Sequence, residues 1–184
     1  MQIFADIAVS IVSVIVVAAY GWSVRGHFAS PKTPPGAWGI SALVTISTLL
    51  LLGLVWMVEQ PFPALLAGLA LELLSAALFI AAVVASRQAQ LRFAFDPQHP
   101  HGLVRGGPYR VVRHPFYVSY IMFWTGWTIA AWSPISMFIP PAFVLTYWLA
   151  ARMEERNFAA SALAPHYQTY KEDVGFFFPR LGRR

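Results

Sequence analysis

The chain has 184 residues, 58% of them hydrophobic and 11% charged, with a formal net charge of +5. Soluble domains carry about 25% charged residues, so this deficit, with a mean hydropathy of +0.57, argues against a soluble protein and for one compact unit embedded in a membrane. Cysteine is absent, which excludes disulfides, thiol nucleophiles and cysteine–metal clusters, and the positive charge lies in loops between apolar stretches, which speaks against a nucleic-acid partner.

A spanning helix needs about 20 mostly apolar residues to cross about 30 Å of hydrocarbon. Residues 5–24, 38–58 and 64–86 have that character. The opening "MQIFADIAVS" lacks the basic region of a cleavable signal, so the first span is expected to be retained. After a polar loop, 87–115, two shorter spans are predicted at 116–132 and 135–151. At 1.5 Å per residue each covers about 25 Å. Ser133 and Pro134 alone separate them, which predicts a tight helical hairpin. Pro140 and Pro141 are expected to kink the last span or to shift its start, because proline removes a backbone donor. A tail, 152–184, completes the chain. The expected fold class is all-α: an integral membrane bundle of about five transmembrane helices in one membrane domain.

All 13 Lys and Arg fall in the 25–36 loop, the 87–115 loop and the tail, which five spans place on one side of the membrane. The 59–63 loop, the 133–134 turn and the N-terminus carry none. Cytoplasmic loops are enriched in Lys and Arg. The N-terminus is therefore expected outside and the C-terminus in the cytoplasm, as in a bacterial inner-membrane protein. Trp22, Trp38, Trp56, Trp132 and Trp148 fall near span ends, where tryptophan anchors helices at the interface.

The chemistry concentrates in the 87–115 loop. Arg105, Arg110, Arg113 and His114 stand among Gly102, Gly106, Gly107, Pro108 and Pro115. Such backbone is rigid, turns sharply and can aim N–H groups at an anion. Arginine adds a bidentate grip on a carboxylate. A basic loop touching anionic headgroups has the same composition, and the loop alone leaves both readings open. Glu154 and Glu155 follow the last span; neighbours on a helix point about 100° apart, so at most one of them should face a given site squarely. They suit either a salt-bridge network or the holding of a cationic or hydroxyl-bearing part of a ligand. The tail brings Tyr167, Tyr170 and Phe176–Phe178, which can fold back over the site or lie on the membrane.

"HPH" at 99–101, with His114 and Glu155, raises a zinc site, but no second tight ligand pair accompanies it and no metal is expected. Glu72 lies inside the third span. An intramembrane acid is a functional candidate by default, yet protonation or a bond to Ser75 or a neighbouring helix accounts for it, so it stays outside the candidate site.

"HGLVRGGPYRVVRHPFYVSY" (101–120) resembles the signature of the isoprenylcysteine carboxyl methyltransferase family and its microbial relatives. His101, Leu103, Val104, Gly107, Tyr109, Arg113, His114, Pro115 and Tyr117 match it in order. The acidic pair Glu154 and Glu155, then Tyr167, Tyr170 and Pro179, follow as in the family, and Pro134 falls in the hairpin turn. The resemblance covers about 101–180. It implies an S-adenosylmethionine-dependent methyltransferase with a cytoplasmic cofactor pocket and a lipophilic substrate, an isoprenylcysteine-like carboxylate or a lipid, entering from the bilayer. It places His101, Leu103, Val104, Gly107, Tyr109, His114, Pro115, Glu154 and Glu155 around the cofactor, Arg113 at the reacting end as the catalytic residue, and Tyr117 against the substrate. Ser119 stands where the family has glycine and Phe116 where eukaryotic members have serine, so the acceptor stays open. Membrane sterol reductases, which use NADPH, share the Arg-His-Pro-x-Tyr element but are longer. A non-catalytic membrane subunit keeping the motif as a remnant is the third reading.

Overall fold

The computed structural model describes residues 2–26, 35–87 and 102–180. Six α-helices follow one another among the described residues: α1 (Gln2–Gly26), α2 (Pro35–Met57), α3 (Phe62–Ser86), α4 (Pro115–Ala131), α5 (Ile139–Ala159) and α6 (Ala164–Asp173). Among the described residues the one β-type pairing is an isolated parallel bridge between Val112 and Gly175. Four stretches among the described residues are long and apolar enough to cross a membrane: Gln2–Ser23, Trp38–Met57, Phe62–Ser86 and Pro134–Ala159. The fifth apolar helix, α4, has 17 residues. Pro115 starts it, and Trp132, in the left-handed conformation at φ 38°, ends it. Its buried residues include Phe116, Tyr120, Phe123, Trp124, Trp127 and Ala130 and leave no polar face. A helix apolar all round belongs in the interior, and α4 touches α1, α2, α3 and α5.

In the last span the prolines take the second of their two expected roles. A 3₁₀ turn, Pro134–Phe138, precedes α5, and Pro140 and Pro141 sit in the helix's first turn. The missing N–H groups cost nothing there, because first-turn donors have no intrahelical partner. The proline pair therefore shifts the start of the helix, and α5 runs on to Ala159, which carries Glu154 and Glu155 beyond the apolar stretch.

The five long helices, taken in chain order, alternate in direction. Gln2 Nε2 donates to the Gln60 carbonyl at 2.5 Å and Trp56 Nε1 to Ser10 Oγ at 3.0 Å, tying the start of α1 to the end of α2. Ser13 Oγ donates to Glu72 at 2.9 Å, and Tyr20 OH lies 2.7 Å from Ser75 Oγ, so α1 runs parallel to α3. The α3–α4 contact is the most extensive. Gly68, Glu72, Ser75, Phe79, Ala82 and Ser86 form its buried stripe on α3, at alternating steps of four and three. Gly68 and Gly126 bring the two backbones together: a Cβ on Gly68 would sit 2.5 Å from the Gly126 oxygen. Small residues allow this approach between membrane helices. Ser75 also donates to the Ser119 carbonyl at 2.8 Å. Ser119, the departure from the family glycine, thus packs against α3, and Glu72 is bonded to α1 rather than to Ser75. Trp124 stacks on Phe143 at 4.2 Å and Tyr117 on Tyr147 at 5.6 Å, setting α5 antiparallel to α4. The ends of α1, α3 and α5 and the starts of α2 and α4 therefore gather at one end of the bundle. Trp22, Trp38, Trp56, Trp132 and Trp148 are all exposed on its outside.

Candidate functional site

The segment from Gly107 to Pro115 links the end of α3 to the start of α4. Gly107 takes a left-handed conformation (φ 56°) and opens a 3₁₀ turn, Gly107–Arg110; a Cβ there would also press on Ala85 at 3.0 Å. Tyr109 from this turn is buried in the main core. Val112 pairs with Gly175 of the tail, and the Arg113 N–H donates to the Gly175 carbonyl at 2.8 Å. Pro115, fully buried, begins α4.

Glu155 is the centre of the site. Arg113 Nε donates to its Oε1 at 2.9 Å, Tyr167 OH donates to the same oxygen at 3.1 Å, and Lys171 Nζ lies 3.3 Å from Oε2. Arg113 Nη1 donates to the carbonyls of Val174 and Lys171, while its Nη2 donates to no described residue. His114 sits between the two acids, Nδ1 3.5 Å from Glu154 and Nε2 3.6 Å from Glu155. These are ion-pair distances, and the buried Nε2 has no hydrogen-bond partner among the described residues. Burial pushes the His114 pKa down, but Glu154 and Glu155 outweigh it and hold the pKa above the ordinary histidine value. Phe176 packs on both cations, 4.9 Å from the His114 ring and 5.5 Å from the Arg113 guanidinium, and Tyr117 stacks on His114 at 5.7 Å. Glu155 thus faces the site squarely at 6% exposure, while Glu154 reaches its edge at 29%.

Leu103 packs against a second small core of Phe158, Tyr167, Tyr170 and Val174, and Val104 against the main one. The tail folds back rather than away: Tyr170 OH donates to the Tyr109 carbonyl at 2.6 Å, and Arg105 Nη2 donates to the His166 carbonyl at 2.5 Å. The structure brings Arg113, His114, Glu154, Glu155 and Tyr117 into contact, with Leu103, Val104, Tyr109 and Pro115 packed behind them. Gly107 lies exposed at the end of α3, and His101 lies outside the described residues, as does His99. Among the described residues no three His, Asp or Glu side chains are arranged to hold a metal.

Sequence reasoning missed Lys171 and Gly175, whereas Phe176, expected in a run that folds back over the site or lies on the membrane, packs on the site. The signal for Gly175 was its place before three phenylalanines: a Cβ there would lie 1.8 Å from the Phe178 oxygen, so glycine alone permits the fold-back.

A family model described as phospholipid methyltransferase matches residues 63–165, from the first turn of α3 through the site to the start of α6. No curated protein matches the chain. The match covers more than half of the sequence and contains Arg113, His114, Glu154 and Glu155, and the chain belongs to the phospholipid methyltransferase family, part of the isoprenylcysteine/phospholipid methyltransferase superfamily.

Proposed function

We propose that this membrane methyltransferase-family chain moves a methyl group from S-adenosylmethionine to a lipophilic acceptor at the cytoplasmic membrane face. The observation that carries the reading is the Glu155 junction, where Arg113, His114, Lys171 and Tyr167 meet, with Leu103 packed on the Tyr167 cluster.

The donor set fits the cofactor's chemistry. The N–H groups of residues 103–107 donate to no described backbone carbonyl, which suits them to a carboxylate. The partly exposed Glu154 suits an ammonium or a ribose hydroxyl. The Phe176 ring, already beside two basic side chains, suits a sulfonium, as aromatic faces attract cations. When bound, S-adenosylmethionine supplies an activated methyl group. The chain's own task is alignment, which is worth about 7–11 kcal/mol of barrier. Arg113 is the proposed catalytic residue. Its Nε and Nη1 are fixed by Glu155 and the tail, so Nη2 is pre-aimed at an anionic group of the acceptor. An isoprenylcysteine-like carboxylate arrives ionised and needs no base. An amine would have to shed a proton, and both His114 nitrogens already face carboxylates, Nδ1 Glu154 and Nε2 Glu155, so His114 is not the group to take it.

The orientation belongs to the same reading. The described Lys and Arg outside α1 lie at the end of the bundle that carries the site, and basic loops stay in the cytoplasm. The test is calorimetric titration of the detergent-purified protein with S-adenosylhomocysteine and, in parallel, with NADPH. Binding of S-adenosylhomocysteine alone is expected. Binding of NADPH alone overturns the reading in favour of a reductase, and binding of neither by folded protein favours a non-catalytic subunit.

A further inference from the structure

A cleft of about 520 Å³ opens between the start of α2 and the end of α5, at the same end of the bundle as the site. Its walls are apolar where Ile40 and Leu43 face Leu149, and its rim carries Trp148, Arg152 and Arg156. These three follow one another at helical steps of four on α5. Arg152 lies over the Trp148 ring at 5.9 Å. No described carboxylate lies within ion-pair distance of Arg152 or Arg156, in contrast to Arg113 one face away.

We propose that this cleft holds an anionic glycerophospholipid, its phosphate between Arg152 and Arg156 and an acyl chain along Ile40, Leu43 and Leu149. Three features choose this occupant. Arginine forks match phosphate oxygens two by two. Trp148 marks the depth at which tryptophan meets headgroups. The rim offers no carboxylate to a choline or ethanolamine, and Arg152 already covers the Trp148 face, so a zwitterionic headgroup gains nothing beyond its phosphate. The site is separate from the Glu155 junction: Arg152 and Arg156 are exposed, Glu155 is buried, and neither arginine is among the partners of Glu155.

The probe is native mass spectrometry of the protein released from nanodiscs of equal phosphatidylglycerol and phosphatidylcholine. The wild type is expected to retain phosphatidylglycerol preferentially. Each of Arg152→Gln and Arg156→Gln should cut that retention about fivefold, the scale of one basic residue at an anionic membrane surface. Arg152→Lys should restore part of it. Gly39→Leu fills the cleft without touching a charge, since a Cβ at Gly39 meets nothing within 4 Å, and should also lower retention. S-adenosylhomocysteine binding, measured on the same samples, should not change in any variant. Equal retention of the two lipids by the wild type, or undiminished retention by the double glutamine variant, overturns the proposal. Displacement of the lipid by excess glycerol 3-phosphate overturns the lipid assignment in favour of a soluble phosphate ligand.

Discussion

Arg113 carries two tasks that one substitution would confuse. Its guanidinium ties Glu155 to the tail, and side-chain exposures of 10% and 6% leave that pair largely unscreened. Removing one partner of a buried pair costs about 3–5 kcal/mol. Lys171 and His114 remain beside Glu155, so Arg113→Ala is expected near the lower end of that range, read as a lower unfolding temperature in detergent, with methyl transfer lost. Arg113→Lys keeps the charge and loses the planar fork. It should unfold close to the wild type and still fail to transfer methyl, whereas near-normal turnover by the lysine variant would refute the proposed role of Nη2. His114 gives a pH-dependent counterpart. Its pKa is raised in the folded state by Glu154 and Glu155, so its contribution to stability is fully present below the unfolded value of about 6.5 and is lost as pH rises through the raised folded value. Unfolding temperature should therefore fall on the alkaline side, and His114→Asn should flatten that part of the profile. An unchanged profile in the variant would show that another group titrates there.

At the scale of the helix, the α3–α4 contact is set by the absence of side chains. A Cβ on Gly68 would stand 2.5 Å from the Gly126 oxygen and 2.6 Å from the Ala130 Cβ, all on a rigid neighbouring helix. Gly68→Ala must push the helices apart, and overpacking of this kind costs about 1–3 kcal/mol. Gly53→Ala, where a Cβ meets nothing within 4 Å, should be neutral or gain up to about 1 kcal/mol from helix propensity. Chemical denaturation of both variants decides between packing and propensity, and equal effects would mean that the contact yields. This contact was not legible in the sequence, where Gly68 is one small residue among many. The helices themselves were legible because apolar length is nearly sufficient to specify a spanning helix. The start of α5 was not fixed by that rule: Pro140 and Pro141 were compatible with a kink or a boundary, and the 3₁₀ turn before them decides for a boundary. In the site, Arg113, His114 and the two acids were legible because their order is distinctive. Lys171 was not, because nothing in one sequence tells a solvated lysine from one turned onto Glu155 by the packing of α6 on α5.

For the whole molecule, the decisive question is whether α4 crosses the membrane. It has 17 residues, about 25 Å of helix, and lies enclosed by four neighbours rather than facing lipid on its own. If it crosses, the loop after α2 and the tail lie on opposite sides; if it does not, they share a side. The chain has no cysteine, so single cysteines report without background. Glu59, exposed between α2 and α3, and Glu172, exposed on α6, are the two reporters. With the basic end held in the cytoplasm, a membrane-impermeant maleimide should label Glu59→Cys in intact cells and Glu172→Cys only after lysis. The reverse pattern would keep five crossings and turn the orientation over, placing the Glu155 junction outside the cell, away from a cytoplasmic pool of cofactor. Labelling of both reporters from one side would remove α4 from the spanning set, and the site would then have to be reached from a bundle of four.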